Sequence, residues 1–131
     1  MFKTVLFPID LSRESREAAT LVCEVIKQHQ SRLILLSVVE ADADNPVMAS
    51  TEAVEELLKD AQKIFTQQGI AAEAVERAGK PAFTICDVAD EMGADLIIMG
   101  SRGLGLTPEG TQDSVTNRVI SLSPCPVLIV P

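Results

Sequence analysis

Three glycines within six residues, Gly100-Ser101-Arg102-Gly103-Leu104-Gly105, form the stretch of this chain best suited to chemistry. They directly follow the apolar run Leu96 to Met99, and beyond them Ser114, Val115 and Thr116 open a helix-forming segment. Glycine permits positive φ and lets backbone N–H groups come close to a ligand, which makes a nest for an anion. The free N–H groups of a helix start attract phosphate in the same way. From Gly100 to Ser114 the connection runs 15 residues, and long connections in compact domains are usually functional. Glycine spacing by itself leaves two readings open, a binding loop or a structural turn.

Other chemistries find little support. No nucleophile with a base and no paired carboxylates stand out, and no Walker-type Lys-Ser/Thr follows the glycines. An efficient NTPase is therefore not expected. His29 is the single histidine and has no cysteine or carboxylate constellation around it, so it reads as a surface residue at a helix end. Cys23, Cys86 and Cys125 are odd in number and lack metal-type spacing, the pattern of reduced, mostly buried thiols in a cytosolic protein.

The glycine stretch must be held by regular elements, and these alternate from end to end. Thr4 to Ile9 reads as a buried strand, with Pro8 near its C-terminal end because proline cannot donate to a ladder. Ser12 offers an N-cap for a helix with Ala18, Leu21, Val22, Val25 and Ile26 on one stripe. Leu33 to Val39 is a second buried strand, and the acidic Glu40 to Ser50 reads as an exposed loop. A helix from Thr51 carries Val54, Leu57, Leu58, Ala61 and Phe65 inward and stops at Gly69. Ala71 to Val75 is a weak edge strand, and Pro81 opens a helix that stops at Gly93. Leu96 to Met99, a helix over Val115 to Leu122, and Val127 to Val130 complete the chain. Such alternation predicts βαβ units, hence one α/β domain over 1–131 with a parallel sheet and helices on both faces. In sheets of this kind ligands bind beyond the strands' carboxyl ends. Pro8 to Asp10, Val38 to Val39, Gly79 to Lys80 and everything after Met99 fall there.

Composition narrows the partners. The 131 residues carry a net charge of −8, with 47% hydrophobic and only 3% aromatic residues. That charge repels a phosphate backbone, and the lack of aromatic platforms disfavours single-stranded nucleic acid, so no nucleic-acid partner is expected. Met1 to Ile9 is apolar but closed by Asp10, too short for a signal peptide or a span, so no membrane is expected and the location is read as cytoplasmic.

Four blocks, FPIDLSRESREA, LILLSVVE, ADLIIMGSRGLG and SVTNRVISLSPCPVLIVP, resemble the universal stress protein family, and the similarity covers the whole chain. The resemblance implies a five-stranded parallel sheet of order 3-2-1-4-5, of the Rossmann-like, adenine nucleotide alpha hydrolase-like type. It also implies a stress-response module that binds ATP or AMP without efficient turnover, and a homodimer joined through Val127, Leu128, Ile129 and Val130. An unpaired apolar terminal strand is an association hazard, which agrees with such a dimer. One branch of the family carries G-x2-G-x9-G-[S/T]. Gly100 and Gly103 match, but the chain then reads Asp113-Ser114 where glycine is expected first. Carried over residue by residue, Pro8, Asp10 and Val38 line the adenine and ribose end, while Gly100, Gly103, Ser114, Val115 and Thr116 hold the phosphates.

Several of these residues have a second reading. Asp10 suits a ribose hydroxyl or a helix cap, and Arg102 suits a phosphate or plain solvent. Asp113 either repels the phosphates, caps the last helix facing away, or helps hold a divalent cation such as Mg²⁺ bound to them. Unscreened, two like charges about 4 Å apart repel by about 4 kcal/mol at an effective dielectric near 20, enough to offset much of a micromolar affinity. A non-nucleotide branch acting through protein–protein contacts is the alternative that Asp113 raises.

Overall fold

A computed structural model describes residues 1–10, 13–40, 46–100 and 115–131. Five parallel strands, β1 (Thr4–Pro8), β2 (Arg32–Val39), β3 (Ala72–Ala78), β4 (Leu96–Gly100) and β5 (Val127–Val130), pair in the order β3-β2-β1-β4-β5. The helices are α1 (Arg13–His29), α2 (Thr51–Gln67), α3 (Pro81–Glu91) and α4 (Val115–Leu122). The strand order is the one that the family resemblance implies.

Alternation along the strands sorts the core into two layers. Val5, Phe7, Leu33, Leu35, Leu96 and Ile98 face α1 and α2, where Val22, Val54 and Phe65 meet them. Leu6, Ile34, Leu36, Ile97 and Met99 face α3 and α4, against Ile85, Val88 and Val119. Phe7 and Phe65 meet edge to face with centroids 6.2 Å apart. At the strands' N-terminal edge, one Asp95 carboxylate oxygen accepts the Lys3 and Thr4 backbone N–H groups, both at 2.9 Å, and fixes β1 beside β4.

Helix boundaries follow local chemistry. Ser50 caps α2, its Oγ accepting the Ala53 N–H at 3.3 Å, and Gly69 ends the turn after it at φ +78°. Pro81 occupies the first turn of α3, where its missing N–H costs nothing. Gly79, just before, has φ +151°, and a Cβ there would lie 2.7 Å from Thr84 Oγ1. That position requires glycine.

Three expectations are corrected. The segment read as an exposed loop holds a 3-10 turn, Pro46–Ala49, which buries Met48; the Met48 carbonyl accepts the Glu40 N–H at 2.8 Å. The third strand is an edge as expected but extends to Ala78, because each residue from Ala72 to Ala78 finds a register partner on β2. His29 is half-buried, its ring edge-on to Phe2 with centroids 5.4 Å apart, since the last turn of α1 packs beside the N-terminal segment. None of the described helices is long and apolar enough to cross a membrane.

Candidate functional site

The sheet order reverses at β1. The chain steps outward from β1 to β2 and β3, then returns to β4 and β5 on the opposite side. The crevice at such a switch point, beyond the carboxyl ends of the strands, is where an open α/β sheet accepts a ligand. Pro8 ends β1, Val38 lies one residue from the end of the neighbouring β2, and Gly100 ends β4 on the other side. Three of the expected site residues therefore converge on one edge, with Asp10 two residues beyond Pro8. Gly79 and Lys80 leave the same edge from β3, and the Gly79 N–H donates to the Val39 carbonyl at 3.1 Å.

Two serines set the end of β1. The Ile9 N–H donates to the Leu36 carbonyl at 2.8 Å, continuing the ladder past Pro8. Ser37, completely buried, donates its hydroxyl to the Ile9 carbonyl at 2.9 Å. The Asp10 N–H then meets Ser15 Oγ of α1 at 3.4 Å, so the first turn of α1 also holds this corner. Sequence reading passes over both serines. Ser37 does announce itself as the lone polar residue in LILLSVV; Ser15, among the polar residues opening α1, does not.

On the other side of β1, Val115 begins α4 and is exposed, whereas Thr116 is buried. Thr116 Oγ1 donates to the Gly100 carbonyl at 3.4 Å, tying the start of α4 to the end of β4. Val38 is 5% exposed and belongs to the α3–α4 layer. Arg102, Gly103, Asp113 and Ser114 lie outside the described residues.

The environment of the cysteines disfavours the thiolate. Burial is the leading cause that raises the pKa of Cys23, Cys86 and Cys125 above the ordinary thiol value, with Lys27 opposing it at Cys23 and Ser123 at Cys125. Thiols so placed, Cys86 buried and Cys23 and Cys125 half-buried, are poor nucleophiles and poor metal ligands. No cluster of three metal-ligating side chains occurs among the described residues.

This topology, with its crevice at the β1–β4 switch point, defines an open, Rossmann-like α/β domain. The profile of the universal stress protein family matches residues 1–131, and the chain belongs to that family. It is 62% identical to a universal stress protein of Synechocystis sp., covering 100% of this chain and 87% of the relative. Among solved structures, a universal stress protein in complex with cAMP superposes with a TM-score of 0.82 at 24% identity, over 99% of this chain and 97% of the other. An Arabidopsis thaliana family member with AMP bound gives a TM-score of 0.75 at 20% identity, over 98% and 90%. At these identities the two structures establish the fold.

Proposed function

We propose that this chain is a homodimeric binding and signalling module that takes up an adenine nucleotide, ATP or AMP, beyond the carboxyl ends of β1, β2 and β4 without efficient turnover. The observation that carries this reading is the convergence of Pro8, Asp10, Val38 and Gly100 around the switch point. In it the Asp10 carboxylate accepts from ribose hydroxyls, and Pro8 and Val38 form the apolar side toward the base. Gly100, Arg102, Gly103, Ser114, Val115 and Thr116 serve the phosphates. Thr116 does so through its backbone N–H, because its hydroxyl already donates to Gly100. Relatives with cAMP and AMP bound support the choice of adenine.

Calorimetric titration of ATP and AMP, with and without Mg²⁺, tests the reading. Saturable heat that falls in Asp10→Ala supports it. Absence of both heat and thermal shift at millimolar nucleotide would sink it. Asp113→Gly separates the roles of Asp113: tighter binding without Mg²⁺ marks repulsion, weaker binding with Mg²⁺ marks a cation contact, and unchanged affinity marks a side chain facing away.

The dimer is proposed through β5, whose Leu128 is exposed and whose outer edge has no strand beside it among the described residues. Leu128→Lys should convert a dimer into a monomer in light scattering after size exclusion. A monomeric parent protein would refute this arrangement.

A second reading, a protein-interaction module of the same family, is favoured by Asp113 in place of the third motif glycine and by exposed Ile120 and Leu122 on α4. It would be preferred if nucleotide titration is silent and the dimer persists.

A further inference from the structure

Helices α1 and α2 share one face of the sheet but ride on different strands, α1 over β1 and β4, α2 over β2 and β3. They part along the middle and leave a cavity of about 540 Å³ between them. Phe7 and Ile9 of the β1 segment, Ala19 and Cys23 of α1, and Ala61 and Ile64 of α2 form its apolar lining. At the far end, Lys27 Nζ of α1 donates to Gln68 Oε1 at the end of α2 at 3.5 Å and bridges the two helices. Ile64 is 51% exposed at the rim, although it belongs to an otherwise apolar wall.

We infer that this groove is a binding site for one neutral, largely apolar small molecule, extending between α1 and α2 from an end that it shares with the proposed nucleotide site at Asp10. Its volume falls within the roughly 300–1,000 Å³ typical of single small-molecule sites, and its lining is mostly hydrocarbon and aromatic with a few polar groups. The polar groups choose the ligand's charge. Asp10 and Asp60 lie along the groove with Arg16, and Lys27 stands at its far end bonded to Gln68, so the groove offers a ligand no net positive charge, on a chain of net charge −8. An anionic amphiphile such as a fatty acid is disfavoured there, while a neutral apolar body loses no ionic hydration on burial. Such a ligand covers the exposed Ile64 and the half-buried Ala19, Cys23, Leu57 and Ala61, which supplies the driving force.

Fluorescence titration of nucleotide-free protein with N-phenyl-1-naphthylamine, a neutral apolar dye, tests this. The parent chain should bind one dye per chain saturably. Ala61→Phe fills the groove and should weaken binding about tenfold or more. Ile64→Glu, at an exposed rim position that leaves the fold intact, should also weaken it, and decides the matter if Ala61→Phe fails to fold. No saturable binding, or parent-like binding in Ile64→Glu and in a folded Ala61→Phe, overturns the inference. Because no nucleotide is present, a silent nucleotide titration leaves this result standing.

Discussion

The hydroxyl of Ser37 is a small group with a large predicted effect. It is fully buried in β2 and donates at 2.9 Å to the carbonyl of Ile9, which is itself buried. In Ser37→Ala the donor disappears while the carbonyl stays in the core. Removing one partner of a buried hydrogen bond costs about 1–3 kcal/mol, because the group left behind keeps its desolvation penalty. With a urea m-value near 2 kcal/mol/M, a loss of about 2 kcal/mol lowers the unfolding midpoint by about 1 M, with m unchanged. The same bond fixes the residue before Asp10, so nucleotide affinity should fall in Ser37→Ala even where the protein is fully folded. Urea unfolding and calorimetry on one preparation check both effects. A stability change below about 0.5 kcal/mol, the range of an ordinary surface substitution, would refute the view that Ser37 pins the end of β1.

Gly79→Ala should destabilise by about 1–3 kcal/mol, since φ +151° is strained for any L side chain and the new Cβ meets Thr84 Oγ1; Thr84→Ala in the same chain should recover part of the loss, read by thermal melting. Glu76 has a buried Oε2 without a hydrogen-bond partner among the described residues, so Glu76→Ala should be neutral or stabilising by up to about 1 kcal/mol in urea unfolding, and a clear loss would reveal a partner. The thiol pKa values of Cys23, Cys86 and Cys125 are raised on folding, so their contribution to stability is complete below the unfolded value near 9.0 and is lost as pH rises through the folded values. Melting temperature should therefore drop more steeply above pH 9.0 in the parent than in Cys86→Ala, and identical slopes would contradict this.

Element type is easy to read in this chain, because its apolar runs are short and its helical stripes regular. Val54, Leu58 and Phe65 are buried at the spacing that the α2 stripe predicts. What pattern cannot supply is pairing length. Ala72 to Ala78 alternates weakly, AEAVERA, and becomes a seven-residue strand because β2 offers seven partners and Arg32 pairs with Glu73 across the edge. Met48 is missed for a related reason: it sits in an acidic, proline-bearing stretch, and only the tertiary contact with the α1–α2 core explains its burial. At the candidate site, Pro8, Asp10, Val38 and Gly100 follow from the family resemblance together with strand-end logic. The hydrogen bonds of Ser37 to Ile9 and of Asp10 to Ser15 do not, because a single serine in a strand or an early helical turn has many uses.

The end of β1 is where the two layers of this domain meet, and that has a consequence for function. Ile9 packs into the α1–α2 layer, while Val38 on the adjacent strand packs into the α3–α4 layer. A ligand lying across this edge would touch groups positioned by both, so its affinity should respond to packing on either face of the sheet. The two responses are not equivalent. On the α3–α4 side Ile85, Val88 and Val119 are each no more than 3% exposed, whereas the α1–α2 side contains the groove beneath Ile9. Well-packed interiors resist displacement and cavities yield. Nucleotide affinity should therefore respond more to substitutions in α1 and α2 along the groove than to equal volume changes in α3 and α4, and equal responses in calorimetric titration would contradict this.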